Sequence, residues 1–399
     1  MRRIYSYTLI LSFLIIIFLG GILTIFKNEA NISKTENRVL APKPKATKEK
    51  LLEGTWFNEL DAYFRDQFIG RNNWIKTSSK INMLLQKKKY IDVVLGKGGY
   101  LLSFNGFQYK EDKEKLISDV NYSVSEMKAL DDYIKSNGGT FIFAGVPNQS
   151  YYHADKYLNY FESMKGFYIE QDDLFFKGLN DNGIHAINMM DTFKNEKEEL
   201  YFKTDHHYNF RGAYLTYSHI INELIQDKVN ISNPYTLEEL GLEKINKPFH
   251  GSWNAKVSWL FKTDDYIEIP HPKFQMPKYK KIVNGKEDNR LFYYNEKDAT
   301  TSYAVYMNGD NAEVKITTAR NELPKALIFG DSFTNGIEPL LSLHFNETRI
   351  LDLRYYKQKS LYSYIEEYKP DVVIFVLSSA VYTFPGGNND FKGVEINKK

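Results

Sequence analysis

Five short runs rich in β-branched and aromatic residues most constrain the fold of this chain: GTFIFAGV (139–146), GIHAIN (183–188), KALIFG (325–330), TRILDL (348–353) and PDVVIFVL (370–377). The longest are apolar at nearly every position, as strands covered on both faces must be. Helical apolar periodicity fills the gaps between them, at 112–136, 169–182, 210–227, 337–344 and 358–368. Strands alternating with helices predict a parallel sheet with crossover helices, an α/β sandwich. IDVVLGKGGYLL (91–102) reads as a hairpin turning at Gly98 and Gly99. Residues 228–324 break the pattern, being rich in Tyr, Lys, Asn and Asp with weak periodicity, and are expected to form an irregular or β-rich insertion.

The N-terminus carries a different signal. Leu9 to Phe26 is eighteen residues without a charge, preceded by Arg2 and Arg3. That length suits a bilayer-spanning helix, and the arginines place the short N-terminal side in the cytoplasm and the rest outside. A cleaved signal peptide is the competing reading, against which stand the length of the run and the lack of a small-residue cleavage site. Residues 1–34 are therefore expected as a membrane anchor. Residues 35–87 follow as a linker and helical segment, with apolar residues at spacings of three and four from Trp56 to Leu84, interrupted near Gly70. Residues 88–399 form the expected main domain.

The formal net charge is +2, and no basic stripe interleaved with aromatics occurs beyond the first fifty residues, so a nucleic-acid partner is not expected. The chain has no cysteine, which fits an exported protein that avoids disulfide chemistry. Thirty tyrosines, 27 phenylalanines and four tryptophans suit a surface that stacks on sugar rings, with Trp253, Trp259 and the stretch 293–306 as cleft candidates, although many of these rings are core.

Functional groups of a parallel sheet gather at the carboxyl ends of its strands. KALIFG ends there in Gly330, Asp331 and Ser332. Ser332 is a candidate nucleophile beside backbone amides that could hold an oxyanion; Asp331-Ser332 is also an ordinary helix cap. A serine needs a base, and the base an orienting carboxylate. TDHHY (204–208) supplies both: Asp205 can reach the Nδ1–H of His207, leaving Nε2 for the serine, while His206 points elsewhere, to pack or to touch substrate. Asp205, His206 and His207 are also competent metal ligands, but the remaining histidines are isolated; a structural cap is a further reading. No cofactor is expected.

These stretches carry a resemblance. GDSFTNG resembles the first block of the SGNH (GDSL-type) esterases, and DHHY resembles their Asp-His block, but in reversed order, with Asp205 ahead of Ser332 by 127 residues. That order is similar to the AlgJ and AlgX type of alginate O-acetylation protein and to the bacterial DHHW family. ENRVLAPKP (36–44), YFRDQFIGRNNWIK (63–76), LGKGGYLL (95–102), GVPNQSYY (145–152), FHGSW (249–253) and LDLRYY (351–356) extend the similarity over most of the chain. Tyr208 stands where the DHHW group has tryptophan.

The resemblance implies an SGNH-hydrolase-like three-layer α/β sandwich with a mainly parallel sheet and circularly reordered motifs. It implies a Ser332–His207–Asp205 triad moving an acetyl group to or from hydroxyls of a cell-surface or secreted polysaccharide. The implied donor is a membrane-bound O-acyltransferase partner. Asn148, Gly251 and Tyr382 are candidates for the second half of the oxyanion hole, with Asp331, His206 and Tyr208 as further substrate-side candidates. A non-catalytic polysaccharide-binding protein on a degenerate SGNH fold is the alternative.

Overall fold

The computed structural model describes residues 2–33, 38–110 and 112–393. Residues 36 and 37 of the ENRVLAPKP stretch, and residues 1, 34 and 35 of the expected anchor and linker, lie outside the described residues. The chain divides into two compact units, Met1–Val93 with Asn254–Lys262, and Val94–Trp253 with Thr263–Lys399.

The first unit holds three helices of note: α1 (Arg2–Phe26), α2 (Thr55–Gln67) and α3 (Arg71–Leu84). Within α1, Tyr5–Phe26 has a mean hydropathy of 2.9 and is long and apolar enough to cross a membrane, by length and composition. The turn between α2 and α3 is made by Gly70 at φ +68°, a left-handed conformation that favours glycine.

The second unit is built on an eight-stranded sheet. In chain order its longer helices, of eight residues or more, are α4 (Lys113–Ser136), α5 (Lys165–Asp181), α6 (Phe210–Gln226) and α7 (Leu361–Tyr368). Its strands are β1 (Thr140–Val146), β2 (Ala186–Asn188), β3 (Lys280–Val283), β4 (Lys286–Glu287), β5 (Glu313–Thr317), β6 (Lys325–Gly330), β7 (Glu347–Leu351) and β8 (Val372–Ser378). They lie in the order β4-β3-β5-β7-β6-β8-β1-β2. β7, β6, β8, β1 and β2 are parallel. The other three are antiparallel and come from the segment 228–324, whose residues extend one edge of the sheet.

Side chains of the central strands divide by parity between two cores. Ile142, Ala144, Ile328, Ile374 and Val376 face the layer containing α6. Phe141, Phe143, Leu327, Phe329, Val373 and Phe375 face the layer of α4, α5 and α7. Each fully buried aliphatic or aromatic side chain of this kind contributes about 1.5–3 kcal/mol, so the period of two fixes which residue emerges on which face at the strand ends. The fold is a three-layer α/β sandwich with a mainly parallel sheet, as expected from the sequence. The turn expected at Gly98 and Gly99 is present, both glycines lying at positive φ and the Gly96 N–H donating to the Tyr100 carbonyl at 2.8 Å.

Candidate active site

β6 lies in the interior of the sheet and ends at Gly330, where there is no room for a side chain: a Cβ there would stand 2.0 Å from the Val376 carbonyl oxygen. Glycine lets the strand end come this close to β8 before the chain turns. Asp331 then caps the turn, its carboxylate accepting from the N–H of Phe333 at 3.0 Å and of Ser378 at 2.9 Å. Tyr208, fully buried, donates its hydroxyl proton to the Phe333 carbonyl and packs edge-on against the Phe333 ring. Asp331 and Tyr208 thus hold the loop carrying Ser332. The Ser332 N–H has no acceptor among the described residues.

The other half of the site is the loop before α6. Tyr201 and Tyr208 bridge across it, and the Asn209 side chain caps the helix by accepting from Arg211 and Gly212. This short closure turns Asp205 and His207 toward the end of β6. His207 Nε2 lies 2.7 Å from Ser332 Oγ, and His207 Nδ1 lies 2.7 Å from Asp205 Oδ1. The same carboxylate oxygen accepts the His207 backbone N–H at 3.0 Å, and Asp205 Oδ2 accepts from the Ser252 N–H at 2.6 Å. Burial alone would raise the Asp205 carboxyl; the His207 imidazole and backbone N–H, with His206 nearby, together outweigh burial and hold it below the ordinary carboxylate range. A buried carboxylate, an imidazole and a partly exposed hydroxyl stand in series, an arrangement able to relay a proton from Ser332.

Several supporting residues escape a reading of the sequence. Tyr303 lies flat on His207, ring centres 3.8 Å apart and planes 2° apart, and the His206 ring is tilted by 37° against it at 3.8 Å. Gln149 donates to the carbonyls of Phe202 and Asp205 and accepts from the Trp253 indole N–H at 2.7 Å. Asp265 accepts from the N–H groups of Lys203 and Thr204. Gln149, Trp253 and Tyr303 lie in stretches visible in the sequence (GVPNQSYY, FHGSW, the tyrosine-rich segment) and Asp265 in none of them, but nothing in one chain pairs Tyr303 with His207.

The remaining candidates occupy distinct places. His206 Nδ1 lies 2.8 Å from Ser252 Oγ, with Trp253 edge-on to its ring at 5.6 Å. Asn148 caps a short helix after β1, its oxygen accepting from Tyr151 and its amide donating to Ser379 Oγ at 2.7 Å. Tyr382 is buried on the α4–α5 side of the sheet, stacked on Phe175, its hydroxyl without a hydrogen-bond partner among the described residues. Gly251 packs where a Cβ would stand 2.1 Å from the Thr204 carbonyl oxygen. That contact brings the Ser252 amide onto Asp205. Gly251→Ala is accordingly expected to cost about 1–3 kcal/mol in denaturant unfolding, the size of an overpacked core, whereas an unchanged midpoint would show the loop free to move. Trp259 belongs to the other unit.

Asp205, His206 and His207 also form the group of three potential metal ligands found among the described residues, their ligand atoms within 4.8 Å of one another. Both carboxylate oxygens of Asp205 and both ring nitrogens of His207 already have hydrogen-bond partners, and His206 Nδ1 lies 2.8 Å from Ser252 Oγ. A cavity of about 400 Å³ lined by Tyr151, Tyr152, His153, Lys165, Lys194 and Glu199 among others contains none of Ser332, His207 and Asp205.

Residues 93–246 match the family model described as ALGX, the SGNH hydrolase-like domain of acetyltransferase AlgX. The chain is similar to SGNH hydrolase-like acetyltransferases. The matched span includes Asp205 and His207 and ends before Ser332. Two structures of Bacillus cereus PatB1, one with a sulfonyl adduct, are 25% and 26% identical to this chain. They cover 76% and 75% of it and 99% of PatB1, with TM-scores of 0.63 and 0.62. A DHHW family protein from Eubacterium siraeum, 20% identical, shares the fold with a TM-score of 0.55 over 74% of this chain and 92% of that one. No protein of curated function matches the sequence.

Proposed function

We propose that the chain is an extracytoplasmic O-acetyltransferase of cell-surface or secreted polysaccharide, anchored by α1 and working through Ser332, His207 and Asp205. The observation that carries the reading is the unbroken series Asp205 Oδ1, His207 Nδ1, His207 Nε2 and Ser332 Oγ, each contact at 2.7 Å. With the proton on Nδ1, held by the carboxylate, Nε2 is the base. Ser332 Oγ attacks the acetyl carbonyl carbon as its proton passes to His207 Nε2, and the carbonyl oxygen takes the negative charge beside the Ser332 N–H. Collapse expels the donor's leaving group, which takes the proton from Nε2, and leaves acetyl-Ser332. A sugar hydroxyl then attacks that ester, giving its proton to Nε2, and as the acetylated sugar departs Nε2 returns that proton to Ser332 Oγ, restoring both groups.

Similarity of residues 93–246 to the acetyltransferase AlgX model favours transfer over hydrolysis. A membrane-bound O-acyltransferase supplying acetyl groups from the cytoplasmic side is the partner this reading asks for. The test is an incubation of the purified chain with p-nitrophenyl acetate and an oligosaccharide acceptor. The expected result is nitrophenolate release together with saccharide heavier by one acetyl group, the share of acetylated product rising with acceptor concentration. Release with no acetylated saccharide at any acceptor concentration would instead make the chain an esterase.

A further inference from the structure

Helix α3 is inside out for a helix in water. A surface helix turns its apolar stripe inward and its polar face to solvent. In α3 the one buried residue is Ser79, while Trp74 (65% exposed), Ile81, Met83 and Leu84 (78% exposed) face outward, as does Leu85 at its end. At about 100° per residue, Trp74, Ile81 and Leu85 fall within roughly 40° of arc, and Ser79 lies on the opposite side. Exposed apolar rings and chains gathered on one stripe mark a surface made for something other than water.

Charge identifies the occupant. Residues 71–91 contain six basic residues, Arg71, Lys76, Lys80, Lys87, Lys88 and Lys89, and no aspartate or glutamate. An apolar stripe with tryptophan, flanked only by positive charge, is the composition of a helix that lies in the interface of an anionic bilayer. Within the same unit, α1 brings that bilayer near. The Ile69 N–H, just before α3, donates to Thr24 Oγ1 at 3.1 Å, and the Tyr63 hydroxyl reaches the Thr24 carbonyl. Gln67 clamps the chain leaving α1, accepting from the Ala30 N–H at 3.1 Å and donating to the Ala30 carbonyl at 2.8 Å. The last turn of the apolar helix is thereby fixed to the segment that leads into α3.

We infer that α3, with Leu85 at its end, lies on the outer surface of the membrane that α1 crosses, its Trp74–Ile81–Leu85 stripe sunk among the lipid headgroups and the exposed Lys87 and Lys88 that follow it on anionic phosphates. This rests on the anchor reading of α1. The element acts as a second foot, holding the chain at a fixed height above the bilayer where a helix alone would leave it to swivel.

The chain has no cysteine, so single-cysteine variants give clean labels. The full-length protein is placed in vesicles of phosphatidylcholine and phosphatidylglycerol with an environment-sensitive NBD label at Leu85→Cys or Ile81→Cys on the stripe. Leu14→Cys within α1 and Tyr122→Cys on α4 serve as references. The expected result is blue-shifted emission at both stripe positions and quenching by shallow spin-labelled lipid about twofold or more above that at Tyr122→Cys, as headgroup burial requires. Leu14→Cys should be quenched by deep spin labels. Deep quenching at Leu14→Cys with stripe labels no more quenched than Tyr122→Cys would overturn the inference and leave the anchor standing. An unquenched Leu14→Cys would overturn both.

Discussion

Ser332→Ala is expected to lower acetyl-ester cleavage by about 10³-fold or more, and His207→Ala by a similar factor, because each removes a group without which the acyl-enzyme cannot form. The double variant should be little worse than either single one, since the two side chains act as one unit. Folding offers no rival explanation for Ser332→Ala. The loop is held by Asp331 and Tyr208, and the Ser332 hydroxyl contributes only its contact with His207, so unfolding midpoints should stay within about 0.5 kcal/mol of the parent. Equal ester cleavage by parent and both variants, measured at matched folded concentration, would remove Ser332 and His207 from the chemistry.

Asp205→Asn has the second largest expected effect, a loss of about 10³–10⁴-fold in kcat with little change in shape. Every group around the carboxylate donates to it: the His207 ring and amide to one oxygen, the Ser252 amide to the other. An asparagine must turn its NH₂ toward one of these donors, which either disfavours the Nδ1–H tautomer of His207 or pushes away the Ser252 loop. Stability should respond to pH with a definite sign. Because the folded Asp205 carboxyl sits below its ordinary range, its contribution is complete above the unfolded value near 4 and fades as pH falls through the folded one. The stability gap between parent and Asp205→Asn should therefore be level through neutral pH and narrow in acid. A gap that instead opens as pH falls would contradict the assignment, and denaturant titrations across that range measure it.

How far the sequence spoke for this site depends on how local each contact is. The run KALIFG, apolar throughout and closed by Gly330, announces a buried strand and a sharp exit, and the exit is where Ser332 sits. Asp205 and His207 are two residues apart, so their pairing is visible in the chain itself. The flat stack of Tyr303 on His207 and the Ser252 amide on Asp205 join segments with no local signal, and their placement depends on how residues 228–324 return to the sheet. Asn148 and Tyr382 follow strand ends as Ser332 does and look equivalent in sequence. Packing separates them: Asn148 is engaged by Ser379, and Tyr382 emerges on the α4–α5 face, a matter of residue parity at the strand end that composition does not record. The apolar stripe of α3 shows in the sequence as ordinary amphipathicity; only the structure tells which side faces out.

The most direct measurement is the mass of the protein after brief exposure to a sulfonyl fluoride, with the modified peptide mapped. A serine activated as described will be sulfonylated. The expected result is a single adduct on Ser332 in the parent, and an adduct at least about tenfold slower to form in His207→Ala, where the base is gone. A parent that cleaves acetyl esters while remaining unmodified at Ser332, or that carries its adduct on another residue, would contradict the account.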